Sequence, residues 1–86
     1  MKNGCIIDDF GIKFWYCNDK LHRIDGPAIE YVNGDKRWYV EGKYHRLDGP
    51  AIEDVNGYKV WYYHGTRLEV SSQQEFEKLV KLKIFW

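Results

Sequence analysis

His22-Arg23-Ile24-Asp25-Gly26-Pro27-Ala28-Ile29-Glu30 returns 23 residues later as His45-Arg46-Leu47-Asp48-Gly49-Pro50-Ala51-Ile52-Glu53. Self-similarity at a fixed spacing means that one structural unit is used repeatedly, and it constrains the fold more than any local propensity does. The same offset lays Asn33-Gly34 on Asn56-Gly57, Lys36 on Lys59, Trp38-Tyr39 on Trp61-Tyr62 and Gly42 on Gly65. Counted backwards, it brings Gly11, Lys13, Trp15 and Tyr16 under the same positions. Residues 4–26, 27–49 and 50–72 therefore read as three copies of one unit. All of them belong to a single domain spanning 1–86, because a chain of 10.3 kDa has no material for a second core.

Each copy reads as a β-hairpin. In the middle one Ala28-Ile29-Glu30-Tyr31-Val32 leads into Asn33-Gly34, a strong two-residue turn signal because both positions tolerate φ > 0, and then into Asp35-Lys36-Arg37-Trp38-Tyr39-Val40. A two-residue turn sets Glu30 opposite Arg37 and Ile29 opposite Trp38. Carried to the other copies, that register pairs Ile6 with Trp15, Ile52 with Trp61, Asp8 with Lys13 and Asp54 with Lys59, and places Cys5 opposite Tyr16. The first copy has Phe10-Gly11 in the turn; a Phe at φ > 0 is costly, so a different turn type is expected there. Beyond the second strand, Glu41-Gly42-Lys43 turns the chain again and Tyr44-His45-Arg46 runs back along it.

The third copy ends the repetition, since Thr66-Arg67-Leu68-Glu69-Val70 follows Gly65 with no His-Arg-x-Asp-Gly-Pro. Ser72-Gln73-Gln74-Glu75 is a capping box, in which the Ser hydroxyl and the Glu carboxylate satisfy orphan amides at a helix start. The predicted helix runs about ten residues and buries Phe76, Leu79 and Val80 at i, i+3 and i+4. Residues 73–86 then form a helical cap on the apolar end of the hairpin stack, with Ile84-Phe85-Trp86 packing as a tail. The predicted fold is mainly β: three tandem antiparallel β-hairpin repeats forming a curved sheet, closed by a short C-terminal α-helix.

The repeated residues resemble a unit, Asp-Gly-Pro-Ala-Ile-Glu, Asn-Gly, Lys, Trp-Tyr, Gly-Lys, His-Arg, that occurs in short proteins of tailed phages and giant viruses. They are more distantly similar to the MORN repeat, which shares a period near 23 and an aromatic and Gly hairpin signature. The chain departs from that pattern at Asp48-Gly49-Pro50, where MORN units carry a shorter Gly-x-Gly. The resemblance implies a binding or scaffolding role and a viral setting, and brings no catalytic residue with it.

Thirteen Lys and Arg balance thirteen Asp and Glu, which removes the global basic field of a protein drawn to nucleic acid or anionic membrane. Neither a membrane span nor a signal peptide is read in the sequence, so the expected location is the cytoplasm, that of the host if the protein is viral. Cys5 and Cys17 are too few for a disulfide framework. With His22 and His45 they also lack the close pairs of a zinc site, so no metal or cofactor is expected.

His22, Arg23, His45 and Arg46 admit two readings. They form an anion- or ligand-binding row, or they bridge adjacent hairpins while Asp25 and Asp48 cap their Gly-Pro turns. Repetition favours bridging, because catalysis needs one unique constellation, and no enzyme is predicted. The aromatics Trp15, Tyr16, Trp38, Tyr39, Trp61 and Tyr62 form two rows on opposite faces. The Trp row is the expected core. Tyr16, Tyr39 and Tyr62, with Arg37, Tyr63 and Tyr31 at the margins, form the expected partner-binding face. The leading expectation is a non-catalytic viral accessory protein that binds and inhibits or diverts a host protein, such as an antiviral-defence component, with open sheet edges that allow a homo-oligomer. The alternatives are an oligomeric protein sequestering a nucleotide or small molecule and, third, a single-stranded nucleic-acid binder.

Overall fold

The computed structural model describes residues 2–82; the expected tail at Ile84-Phe85-Trp86 lies outside the described residues. In chain order the elements are β1 (Gly4–Ile7), β2 (Lys13–Cys17), β3 (Lys20–Leu21), β4 (Ile29–Glu30), β5 (Lys36–Arg37), β6 (Tyr39–Val40), β7 (Lys43–Tyr44), β8 (Ile52–Glu53), β9 (Lys59–Tyr63), β10 (Thr66–Leu68) and α1 (Gln73–Leu82). The chain is mainly β, all pairings are antiparallel, and the sheet is open. Its order is β1-β2-β4-β5-β8-β9-β10, with β3 beside β2, while β6 and β7 pair as a separate two-stranded sheet. Each hairpin's first strand thus lies on the second strand of the hairpin before it.

The register differs from the expected one by a single residue in every hairpin. Ile29 faces Arg37, Glu30 faces Lys36, Ile6 faces Phe14, Ile52 faces Val60 and Glu53 faces Lys59, while Cys5 faces Trp15 rather than Tyr16. The cause is the turn. The Tyr31 N–H donates to the Asp35 carbonyl (2.9 Å) and the Gly34 N–H to the Tyr31 carbonyl (3.0 Å), which closes a loop of three residues, not two. Gly34 alone takes positive φ, at 100°. This is a type I turn followed by a left-handed Gly, the usual three-residue hairpin. Asn33 serves as an acceptor instead, its Oδ1 taking the Asp35 N–H at 3.0 Å.

The same bonds recur from Asp8 to Ile12 and from Asp54 to Tyr58. Phe10 therefore never needs positive φ, only Gly11 does, and the first turn has the form of the other two. The φ signature of a type I′ turn appears one turn later instead, at Asn18-Asp19 (51° and 67°) and Glu41-Gly42 (51° and 81°), and again at His64-Gly65 (46° and 85°).

A one-residue slip exchanges the two faces of a strand for its partner. The Trp residues consequently do not face Ile. One row crosses the sheet as Cys5, Trp15, Ala28, Trp38, Ala51, Trp61 and Leu68, and each Ala sits between two indoles with no exposed surface. The opposite face carries Ile6, Phe14, Ile29, Arg37, Ile52 and Val60. Lys13, Glu30, Lys36, Glu53 and Lys59 form a continuous row of alternating charge, which replaces the Asp8–Lys13, Glu30–Arg37 and Asp54–Lys59 pairs expected within hairpins.

The main core lies at the C-terminal end, where α1 places Phe76 against Trp61 and Leu68, with Tyr63, Val70 and Val80 around them. The helix begins as its capping residues predict: Ser72 Oγ accepts the Glu75 N–H at 3.2 Å. The Glu75 carboxylate turns to Ser71, taking its hydroxyl at 2.7 Å, rather than to the Ser72 amide. That bond holds the Glu75 carboxyl below the usual carboxylate range.

Candidate functional site: the tyrosine face and the arginine clamps

The His-Arg-x-Asp-Gly-Pro-Ala-Ile-Glu segment folds into a clamp around its arginine. The Arg46 guanidinium lies 3.6 Å above the Trp38 ring and donates to Asp48 (2.9 Å), to the Pro50 carbonyl (3.1 Å) and to Glu53 (3.1 Å). Arg23 does the same over Trp15 at 3.9 Å, with Asp25, the Pro27 carbonyl and Glu30 as acceptors. Asp25 and Asp48 therefore hold the arginine and are not engaged simply as caps of their own turns. The central Gly has a steric origin: a Cβ on Gly49 would stand 2.6 Å from the Arg46 Cζ, and one on Gly26 3.0 Å from the Arg23 Cζ. The guanidinium occupies the space a side chain would need.

Histidine joins neighbouring hairpins. His22 Nδ1 accepts the Glu41 N–H and His45 Nδ1 the His64 N–H, both at 2.9 Å. Each accepted amide belongs to the first, left-handed residue of a two-residue turn. The His45 ring also stacks on His64 at 4.2 Å and meets the edge of Tyr63. Burial, and secondly the charge of His64, lower the His45 pKa below its ordinary value. A protonated His45 would turn a donor toward the His64 amide.

The stability contributed by neutral His45 is complete above the unfolded imidazole value, near pH 6.5. It is lost as pH falls through the lower folded value. The thermal midpoint is expected to drop between pH 7 and pH 5, and His45→Gln, whose carbonyl can take the same N–H, should flatten that slope. An unchanged slope in the variant would assign the acid sensitivity elsewhere. Asp35, held down chiefly by the Val55 N–H, and Glu75 are carboxylates with lowered values and titrate below this window.

The tyrosines divide. Tyr39, Tyr44 and Tyr62 form a stacked ladder across neighbouring hairpins, with centroids 4.3 and 4.7 Å apart and planes within 26°. Burial first, and then a hydrogen bond with Tyr44, push the Tyr39 phenol well above its ordinary value. Arg37 sits on the same face, its guanidinium 5.4 Å from the Tyr31 ring and bonded to Asp54 at 2.5 Å. Burial alone would lower the Arg37 pKa, but the Asp54 hydrogen bond and charge outweigh it and the net direction is upward. Tyr16 stands apart, stacked with Phe14 at 6.4 Å and under the Lys2 ammonium. Tyr63 lies on the other face with Trp61, beside the helix core.

The structure thus unites Tyr39, Tyr62, Arg37 and Tyr31 on one face and adds Tyr44 and Asp54, which were not expected on it. Tyr44 was legible in principle: recognising Glu41-Gly42 as the two-residue hairpin turn puts Tyr44 directly opposite Tyr39. On the Trp face a groove of about 580 Å³ runs between the two clamps, with Ile24, Leu47, Trp38, Val40 and His45 among its walls. The guanidinium groups beside it each already serve two carboxylates. Among the described residues no three His, Cys, Asp or Glu side chains come together as a metal site, and no helix is long and apolar enough to cross a membrane. No family model, curated protein or solved structure matches the chain.

Proposed function

We propose that the protein is a non-catalytic binding module that engages a protein partner through the face bearing Tyr39, Tyr44, Tyr62 and Arg37. The observation carrying this reading is the stacked ladder itself, in which three half-buried rings support one another beside a guanidinium oriented by Asp54. Rings already held in place lose little conformational entropy on contact, and Tyr and Arg dominate binding hot spots for that reason. The anionic-ligand reading of His22, Arg23, His45 and Arg46 has less support, because both guanidinium groups and both Nδ1 atoms are engaged within the chain. From the resemblance of the repeat to units in phage and giant-virus proteins, the partner is a host protein, met in the cytoplasm, whose action in antiviral defence is inhibited or diverted.

The test compares tagged wild type with Tyr39→Ala and Tyr62→Ala in capture from host lysate, with circular dichroism confirming that each variant is folded. Loss of a hot-spot ring costs on the order of 2 kcal/mol, about thirtyfold in affinity. One captured protein should therefore fall away with both variants. Recovery of every captured protein at wild-type levels would overturn the assignment of this face.

A further inference from the structure

The sheet has two outer strands, β1 and β10, and they are not alike. Edge strands in stable monomers are blunted, most often by charge, because their unpaired N–H and C=O groups template pairing with another chain. β10 follows that rule with Thr66 and Arg67. β1 does not: all four of its residues are exposed, and Ile6 and Ile7 retain 40% and 59% of their accessible surface.

The repeat shows that the apolar residue at this edge is a departure. Ile7 occupies the position held by Glu30 and Glu53 in the other copies, where those carboxylates face Lys13 and Lys36 on the preceding strand. Cys5 occupies the position of Ala28 and Ala51, whose carbonyls accept the N–H of Trp15 and Trp38 from the preceding hairpin at 2.8 Å. Among the described residues no strand lies beyond β1 to take the equivalent carbonyl of Cys5. The outer edge of β1 therefore repeats a pairing surface that the chain uses twice internally, with its one charged residue exchanged for isoleucine.

We propose that β1 pairs antiparallel with β1 of a second copy, about a two-fold axis near Ile6, joining two sheets edge to edge. A second copy fits because Gly-Cys-Ile-Ile against itself sets Ile6 on Ile6 and Cys5 on Ile7, apolar on apolar, with no charge left facing an apolar residue. Head-to-tail pairing, which would set β1 on β9 as β4 sits on β2, is disfavoured because it lays Ile7 on Lys59 where Glu30 lies on Lys13. A two-fold pairing closes at the dimer, whereas a head-to-tail one would continue into fibres. This proposal is independent of the tyrosine face.

Light scattering during size exclusion, across a concentration series of the 86-residue chain, tests it. The expected mass rises from 10.3 kDa toward twice that value and no further. Ile7→Glu restores the residue of the other copies, so the variant should fold, and it should weaken association by at least about tenfold because each new carboxylate then faces the apolar Cys5 position of the other copy, with its like-charged counterpart diagonally across the axis. A short bis-maleimide should link wild-type dimers through Cys5, and this link should survive Cys17→Ser and vanish with Cys5→Ser. A mass of 10.3 kDa at every concentration, growth beyond the dimer, or cross-linking that depends on Cys17 and not Cys5 would each overturn the proposal.

Discussion

Phe76→Ala should produce the largest loss of stability of any single substitution in the described chain. Phe76 retains 1% of its accessible surface and is the largest side chain that is fully buried. It holds α1 on Trp61 and Leu68. Truncating a buried Phe costs about 3–5 kcal/mol, the sum of lost transfer energy and the cavity left behind. A domain of this length has a total stability of roughly 4–13 kcal/mol at the usual 0.05–0.15 kcal/mol per residue, so the change removes a large fraction of it. Thermal and urea unfolding followed by circular dichroism measure the effect directly.

The helix has a specific task that explains this sensitivity. Trp15 and Trp38 are each covered by an arginine from their own clamp, but the third copy carries Glu69 where the second carries Arg46. Trp61 is covered by α1 instead: Phe76 packs on it, and Gln73 accepts its indole N–H at 2.8 Å while donating to the Leu47 carbonyl. Leu79→Ala, at a half-buried position one turn on, should cost clearly less than Phe76→Ala. Equal losses, or a loss below about 1 kcal/mol for Phe76→Ala, would show that the helix does not stabilise the third hairpin in this way.

Arg46→Ala should be the most damaging change within the arginine clamps, at about 2–3 kcal/mol. The substitution abandons three acceptors at once and uncovers the Trp38 ring. Hydrogen bonds to charged groups contribute about 1.5–3 kcal/mol when sheltered, and a cation over an indole adds about 0.5–2 kcal/mol. The total is held down because the Asp48 carboxylate is 86% exposed and water screens that pair. Arg46→Lys separates charge from shape. Lysine keeps the positive charge but has neither the planar fork for Asp48 and Glu53 nor the flat surface that lies on Trp38. It should recover less than half of the loss. Full recovery with lysine would mean that the clamp acts by charge alone.

Much of the architecture was legible because a repeated sequence demands repeated structure. The hairpin succession, the helix over Gln73–Leu82, and the bridging role favoured for His22, His45, Arg23 and Arg46 all follow from residue types at fixed spacing. The register did not follow. Asn33-Gly34 is compatible with a two-residue turn that has both residues left-handed, and equally with a three-residue turn that needs only Gly34 to be so. The alternatives differ by one residue, and the choice decides whether Ile29 lies with Trp38 or with Arg37. Ala28 and Ala51 held the missing information: side chains this small, at the same point of each copy, suit a site closed between large rings. The tyrosine ladder was half legible, since its members Tyr39 and Tyr62 were expected on one face but Tyr44 joins them only through the second turn.

By itself the sequence determined that the chain repeats, that its repeats are β-hairpins, and that a helix closes the last one. Those conclusions rest on period, turn residues and capping residues, all of which act within a few positions of chain. Tertiary structure alone decided which face each aromatic occupies and which partners the arginines take, as well as which outer strand is left apolar. Those outcomes depend on contacts between hairpins, where one residue of register exchanges the two faces of a strand and no local preference opposes the exchange.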